Sequence, residues 1–465
     1  MMSISKTETA TAITVERIQS FTKSFNADPR YQQARNALAK NAVSSVALNR
    51  DIVTTTDHVF SHMLKNVDAT SQEKTGRCWI FAGLNMFRSE AMKRLNIEKF
   101  ELSQNYMMFW DKLEKANYFL ENILVTLDEP TDGRLLMFLF QNPIQDGGQW
   151  DMFANLVKKY GVVPKSKMPE TQSSSDSSAM NGLITARLRE QAAELRRLHQ
   201  TGEPIEALRD RKIAMMEVIH RMLCIHLGQP PADFYWQWTD KENQFHRDGL
   251  LTPHEFFDRY VGFDLDSMAC LIHCPTADKP FNRLYTIQYL GNVVEGNIIR
   301  YLNVDISVFK RAAVEMLIHS RPVWFGCDVG KMFERDLGIL DTGLYDYGQF
   351  YGAPYTATKA ERIEYGQSQM THAMVFAGVN LDEAGQPTKW RVENSWGTSF
   401  GDSGYLVMND AWFDEYMYEV LVDKKYIPAD LLPILDTAPT VLPPWDPMGA
   451  LARSGGFEAW RSPDQ

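Results

Sequence analysis

The sequence predicts an α+β fold, on three observations. In the first part of the chain apolar residues recur at helical spacing, as at Ile80, Leu84, Phe87, Ala91 and Leu95. Beyond Phe281 the pattern changes to short apolar runs bounded by Gly and Asp, such as Val323-Trp324-Phe325-Gly326, residues 373–379 and Tyr405-Leu406-Val407-Met408, which read as strands. Helices early and strands late are the order of an α+β chain. The composition is that of a globular protein: 465 residues, 44% hydrophobic, 23% charged and 12% aromatic, with ample length for a large core.

Taken in order, residues 1–14 are polar and Thr-rich with no apolar segment of signal-peptide type, and read as a flexible leader on a cytoplasmic protein. Residues 15–48 carry one or two surface helices. Residues 15–280 form a helical lobe, in which 100–122 is aromatic-rich core helix. The longest apolar run, Leu135 to Phe140, is far too short to span a bilayer and excludes an integral membrane protein. Ser173 to Ser178 is a Ser/Asp cluster expected to be a loop. Ile184, Leu188, Ala192 and Leu195, then Leu208, Met215, Ile219 and Met222, predict two amphipathic helices separated by Thr201-Gly202-Glu203-Pro204, an insertion near 180–230. The segment 233–238 is aromatic and packs or lines a groove. Residues 281–426 form a β-rich lobe, and 427–465, rich in Pro, an extended C-terminal arm.

Five cysteines at 78, 224, 270, 274 and 327 do not make a disulfide framework in a chain this long. Cys270, His273 and Cys274 lack a second ligand pair at metal-site spacing, so neither metal nor cofactor is expected. Cys78 differs from the rest. It opens the apolar helical pattern in Gln72-Glu73-Lys74-Thr75-Gly76-Arg77-Cys78-Trp79, with Gly76 in the entering loop. A helix N-terminus favours negative charge, and such placement beside a protonated His lowers a thiol pKa from about 8.5 to roughly 3.5–7.5.

A thiol nucleophile needs a base, and the base an orienter. His372 stands at the start of an apolar strand in Thr371-His372-Ala373-Met374, and Glu393-Asn394-Ser395-Trp396-Gly397 follows. The Asn394 oxygen can accept from one imidazole N–H, fixing tautomer and ring orientation while the other nitrogen faces the sulfur. Trp396 can shield that bond from water. The oxyanion of a tetrahedral intermediate would be held by the Gln72 side-chain NH₂ and the Cys78 backbone N–H. The glycine pair in Asp146-Gly147-Gly148-Gln149-Trp150 is either an ordinary turn or an edge where an extended peptide pairs with the main chain.

With these residues in view, the sequence resembles the papain superfamily of cysteine peptidases, and within it the bleomycin hydrolase/aminopeptidase C family. Thr75-Gly76-Arg77-Cys78-Trp79 matches the signature around the papain nucleophile. Gly147-Gly148-Gln149-Trp150, the run 158–165, Thr371-His372-Ala373-Met374 and Glu393-Asn394-Ser395-Trp396-Gly397 look like the family's own. Two departures stand out. Thr75 replaces a cysteine that secreted relatives use in a disulfide, in keeping with a reducing compartment. Cys78 and His372 lie 294 positions apart, against roughly 130–150 in papain-type enzymes, which leaves room for insertions.

The resemblance implies a two-lobed papain-like fold with large helical insertions. It implies Cys78 as nucleophile, His372 as general acid/base, Asn394 as orienter and Gln72 as oxyanion donor, with Gly147 and Gly148 pairing with the substrate backbone. It also implies peptide substrates, bleomycin-type amides among them, and a homohexameric barrel with an arm reaching into each cleft. In that picture the carboxylate at the arm's end, here Ala452, holds the substrate's α-ammonium and makes the enzyme an aminopeptidase. Residues 453–465 continue past that point and are expected to be trimmed; if they persist, a papain-like endopeptidase is the alternative. A nucleic-acid-binding ring is the other alternative, disfavoured by the net charge of −11.

Overall fold

The computed structural model describes residues 11–65 and 67–452. Most of the expected leader and all of the tail 453–465 lie outside the described residues. Helix α1 (Val15–Ala27) starts where the Thr14 hydroxyl accepts the Arg17 N–H, and none of its residues is buried. The central helix is α2 (Cys78–Leu95). Every residue from Cys78 to Arg88 is buried in it, as expected of a helix packed on all sides rather than one lying on a surface. Its Gly83 lies so close to Phe153 that a Cβ would come within 2.5 Å of the ring.

Helix α3 (Gln104–Val125), capped by the Ser103 hydroxyl on the Tyr106 N–H at 3.0 Å, and helix α4 (Trp150–Tyr160) pack against α2. The predicted insertion is the helical pair α5 (Ser178–Gln200) and α6 (Ile205–Leu227), which leans on α3. The Ser cluster before it is not a simple loop. Gln172–Ser175 forms one helical turn, because Thr171 and Ser174 make reciprocal capping bonds and bury Ser174. The aromatic segment 233–238 is strand β1 (Phe234–Thr239), paired with β2 (Phe245–Leu251) in a hairpin. Trp236 there packs edge-on to Phe256, centroids 5.4 Å apart.

The sheet holds β3 (Met268–Ile272), β4 (Arg283–Ile287), β5 (Tyr301–Asn303), β6 (Val323–Cys327), β7 (His372–Leu381), β8 (Pro387–Glu393), β9 (Tyr405–Asn409), β10 (Met417–Asp423) and β11 (Thr440–Leu442). Their order across the sheet is β11-β4-β5-β3-β10-β6-β7-β8-β9, extended past β9 by two short strands. The sheet therefore begins before residue 281, where the sequence placed the change of lobe. β3 is buried along its whole length, so its apolar run lacks the alternation that marks a strand in sequence. Helix α2 lies against β7 and β6. The arm closes the fold: β11 joins the sheet edge in parallel with β4, and short turns at Leu432–Asp436 and Pro447–Gly449 carry the chain back over the molecule.

Candidate active site

Cys78 is the first residue of α2 and is buried. Its approach loop is braced from several directions. The Arg77 guanidinium, 1% exposed, donates to both Glu170 oxygens at 3.2 and 3.0 Å and to Thr75 Oγ1 at 3.0 Å. The Gly76 N–H donates to Asp146 Oδ2 at 3.0 Å, and the Trp79 indole N–H to the Asp146 carbonyl at 2.7 Å. Asp146 thus holds the chain on both sides of the sulfur. Burial alone would raise its carboxyl pKa. Lys112 beside it, with donors from Ser177 and Asn181, outweighs burial and holds it well below the usual carboxylate range.

His372 opens β7 directly opposite Cys327 of β6. Its Nε2 stands 2.9 Å from Asn394 Oδ1, just past the end of β8. The amide oxygen only accepts, so Nε2 carries the proton and Nδ1 is the nitrogen that exchanges one. The Trp396 ring covers the imidazole, centroids 4.8 Å apart and planes inclined 31°. Burial pulls the His372 pKa down to about 4, against the opposing bond from Asn394. A cationic ring in so dry a place needs an anion beside it, which proton transfer from a thiol creates in the same step. Helix α2, which opens with Cys78, packs against β7, the strand that opens with His372.

Gln72 is brought to the same place by a short antiparallel contact. Its N–H donates to the Ser395 carbonyl at 2.8 Å, its Oε1 accepts the Ser395 hydroxyl at 2.7 Å, and the Gly397 N–H returns to the Thr70 carbonyl at 2.9 Å. The Gln72 amide NH₂ donates to the Thr75 carbonyl. The loop before Cys78 and the loop after Asn394 are therefore one hydrogen-bonded unit. A second brace lies beneath it. Glu393, next to Asn394, accepts from Arg88 and Asn85 of α2 at 2.5 and 2.9 Å, tying the helix that begins at Cys78 to the strand that leads into Asn394.

Gly148 meets the chain's own arm: its N–H donates to the Ala452 carbonyl at 3.2 Å, and the Gln149 side chain donates to the Ala450 carbonyl at 2.7 Å. Gly148 also has no room for a side chain, since a Cβ would lie 2.4 Å from the Trp79 indole. Gly147 presents its carbonyl to Lys115 Nζ at 2.7 Å. Ala452 is fully buried. Hydrogen bonds thus join the loop of Gln72 that leads into Cys78 to the loop after Asn394, the partner of His372, while Gly148, against Trp79, meets Ala452 and Gly147 meets Lys115. Sequence reasoning missed Asp146, Glu170, Arg88 and Glu393. Asp146 and Glu393 stand inside motifs already quoted, directly before Gly147 and Asn394, but with no local sign of what they hold.

The remaining cysteines are not competitors for the role of nucleophile. Burial pushes the thiol pKa of Cys224, Cys270, Cys274 and Cys327 upward. Among the described residues no cluster of His, Cys, Asp or Glu is suited to a metal ion, and no helix is long and apolar enough to cross a membrane.

The Peptidase C1-like family model matches residues 12–449. The chain is 44% identical to Aminopeptidase C of Listeria innocua, covering 95% of this chain and all of the relative. It is 42% identical to human Bleomycin hydrolase, covering 94% and 98% of the two chains. In fold it is similar to PepW from Lactobacillus rhamnosis, with a TM-score of 0.94 at 46% identity, over 95% of this chain and all of the other.

Proposed function

This chain belongs to the Peptidase C1-like family, and from that premise we propose how its site works. The protein is a cysteine aminopeptidase of papain-like fold. His372 Nδ1 takes the Cys78 proton, and the thiolate attacks the carbonyl of the substrate's first peptide bond. The oxyanion that forms is held by the Cys78 N–H and the Gln72 amide. His372 then protonates the leaving amine and activates the water that hydrolyses the thioester. The observation that carries this reading is the His372–Asn394 bond of 2.9 Å under Trp396, which fixes the base in one tautomer.

Restriction to the first residue is supported by the arm. With Ala450 and Ala452 bonded along the edge at Gln149 and Gly148, one side of the cleft is filled by the chain itself. Ala452 offers a terminal carboxylate to a substrate's α-ammonium only after cleavage behind it, so residues 453–465 are removed in the mature enzyme. Peptides are the substrates, and amides of the bleomycin type are chemically equivalent ones. The exposed stripe Val15, Ile18, Phe21 and Phe25 on α1 supports assembly with further copies of the chain, as a homohexamer. The free cysteines and Thr75 support a cytoplasmic setting.

The test compares free-amino with N-blocked aminoacyl fluorogenic amides on wild type, Cys78→Ala and a chain ending at Ala452. Cys78→Ala is expected to be inactive, and the shortened chain to favour the free amine strongly. Equal rates on both substrates would make the enzyme an endopeptidase. Mass spectrometry of active enzyme showing an intact Gln465 would refute trimming.

A further inference from the structure

The edge at Gln149 and Gly148 is taken by the arm, so the part of a substrate that follows the scissile bond has to leave by way of His372, which protonates its amine. Beyond His372 stands a small aromatic platform. Trp396 covers the imidazole at 4.8 Å, Phe333 packs on Trp396 with centroids 6.0 Å apart, and the Arg335 guanidinium lies over both Trp396, at 5.5 Å, and Phe400, at 3.8 Å. Trp396 and Phe400 are half-buried, whereas Arg335 is exposed, so a charge is displayed on an apolar base.

The backbone presents that charge at a fixed point. Arg335 opens the turn between two short strands, Phe333–Glu334 and Ile339–Leu340, which pair antiparallel. The Gly338 N–H closes the turn on the Arg335 carbonyl at 3.2 Å, and Glu334 Oε2 accepts the Leu337 N–H at 2.7 Å. From the other side the Gly401 N–H donates to the Asp336 carbonyl at 3.1 Å, and a Cβ on Gly338 would stand 2.6 Å from Gly401. This turn and the loop that follows Trp396 are therefore locked together. A guanidinium stacked on rings loses less freedom when it binds, and its planar fork suits a carboxylate, which takes two parallel N–H bonds.

We propose that Arg335 selects the leaving group by binding a carboxylate carried by the residue after the scissile bond, either the C-terminal carboxylate of a dipeptide or an acidic side chain. The assignment rests on the aminopeptidase reading, which lays the substrate with its amine end against the arm. The ring contacts put Arg335 one indole beyond the imidazole, and one residue spans about 3.5 Å of extended chain, so an anion one residue past the attacked carbonyl comes within the sweep of the arginine side chain. The pair forms in the bound substrate as it does in the transition state, so it lowers KM and leaves kcat nearly alone.

The test measures kcat and KM of the full chain on two pairs of free-amine substrates. Ala-Leu and Ala-Leu amide differ in the terminal carboxylate; Ala-Asp amide and Ala-Asn amide differ in the side-chain one. In wild type at least one carboxylate substrate is expected to exceed its neutral counterpart about five- to tenfold in kcat/KM, through KM, as an exposed but stacked ion pair allows. Preference within the first pair assigns the anion to the main chain, and within the second to the side chain. Each ratio is taken within one enzyme, so general damage to folding or catalysis cancels. Arg335→Gln should level the ratios, Arg335→Lys should keep part of the preference, and Arg335→Glu should reverse it and favour Ala-Lys amide over Ala-Asp amide. Equal wild-type values within both pairs, or a preference that survives in Arg335→Gln and Arg335→Glu, would overturn the assignment. The aminopeptidase reading is judged apart, by acetylating the alanine. Undiminished cleavage of the blocked peptides would overturn that reading, while the ratios within each pair and their response to Arg335 would still decide the leaving-group site.

Discussion

The two sides of the cleft are held by different physics. On the nucleophile side, a helix begins in the middle of the protein, so the N–H groups of its entering loop have no intrahelical partners and must be met by groups from elsewhere. Asp146 meets them, and its own charge is then answered by Lys112, Ser177 and Asn181 from two further helices. On the base side, His372 and Asn394 sit at strand ends whose backbones are satisfied by the ladders of β6, β7 and β8. There the only demand is to keep one side-chain bond dry, and an aromatic ring does so. A helix terminus in a core calls for buried ionic scaffolding; a strand end does not.

The sharpest break of this comparison is at its two chemical ends. Cys78→Ala and His372→Ala should each lower kcat by roughly 10⁴-fold or more, with unfolding midpoints close to wild type, as single-turnover kinetics and urea titration will check. Next comes the ionic side. Asp146→Ala strands Lys112 in the core and should cost about 3–5 kcal/mol in urea unfolding, whereas Asp146→Asn, which still accepts from Gly76, should cost less. Equal losses for the two would mean that charge is not what the loop requires.

The dry side has its own signature. In a Cys78→Ala background no thiolate can pair with the ring, and burial holds His372 at about 4 against an unfolded value near 6.5. A depressed basic group gives stability that is complete above the unfolded pKa and is lost as pH falls through the folded one. Up to about 3 kcal/mol should therefore disappear between pH 6.5 and 4, and His372→Gln should flatten that slope in urea midpoints measured against pH. The smallest expected effect is at the orienter. Asn394→Ala removes one bond to a group that becomes charged, worth about 1.5–3 kcal/mol, and should lower kcat about ten- to hundredfold while leaving KM alone. A fall in stability of the same size would instead mark it as scaffolding.

The same contrast explains what the sequence discloses. Cys78, His372 and Asn394 each carry a local signal, a thiol opening a helical pattern, a His opening an apolar strand, an Asn beside a Trp, and Gln72 follows from its place before the Cys. The insertion α5–α6 is equally plain from its apolar spacing. Asp146 is opaque because its partners stand at 76, 79, 112, 177 and 181, so that no window of sequence contains the reason for it. Glu393 is hidden likewise by partners at 85 and 88. Gly148 is legible as a glycine, yet its cause is not: the Trp79 indole, and not only a visiting peptide, forbids a side chain there. β3 escapes because a strand buried on both faces has no alternation.

The bond from Gly148 to Ala452 also bears on how the enzyme can be inhibited. A long peptidomimetic running along that edge has to displace a tethered rival whose local concentration is on the order of millimolar. Compact electrophiles that reach only the sulfur face no such rival. Screening with extended papain-type inhibitors would thus understate how reactive this thiol is, and the ranking of compounds should invert once the rival segment is deleted.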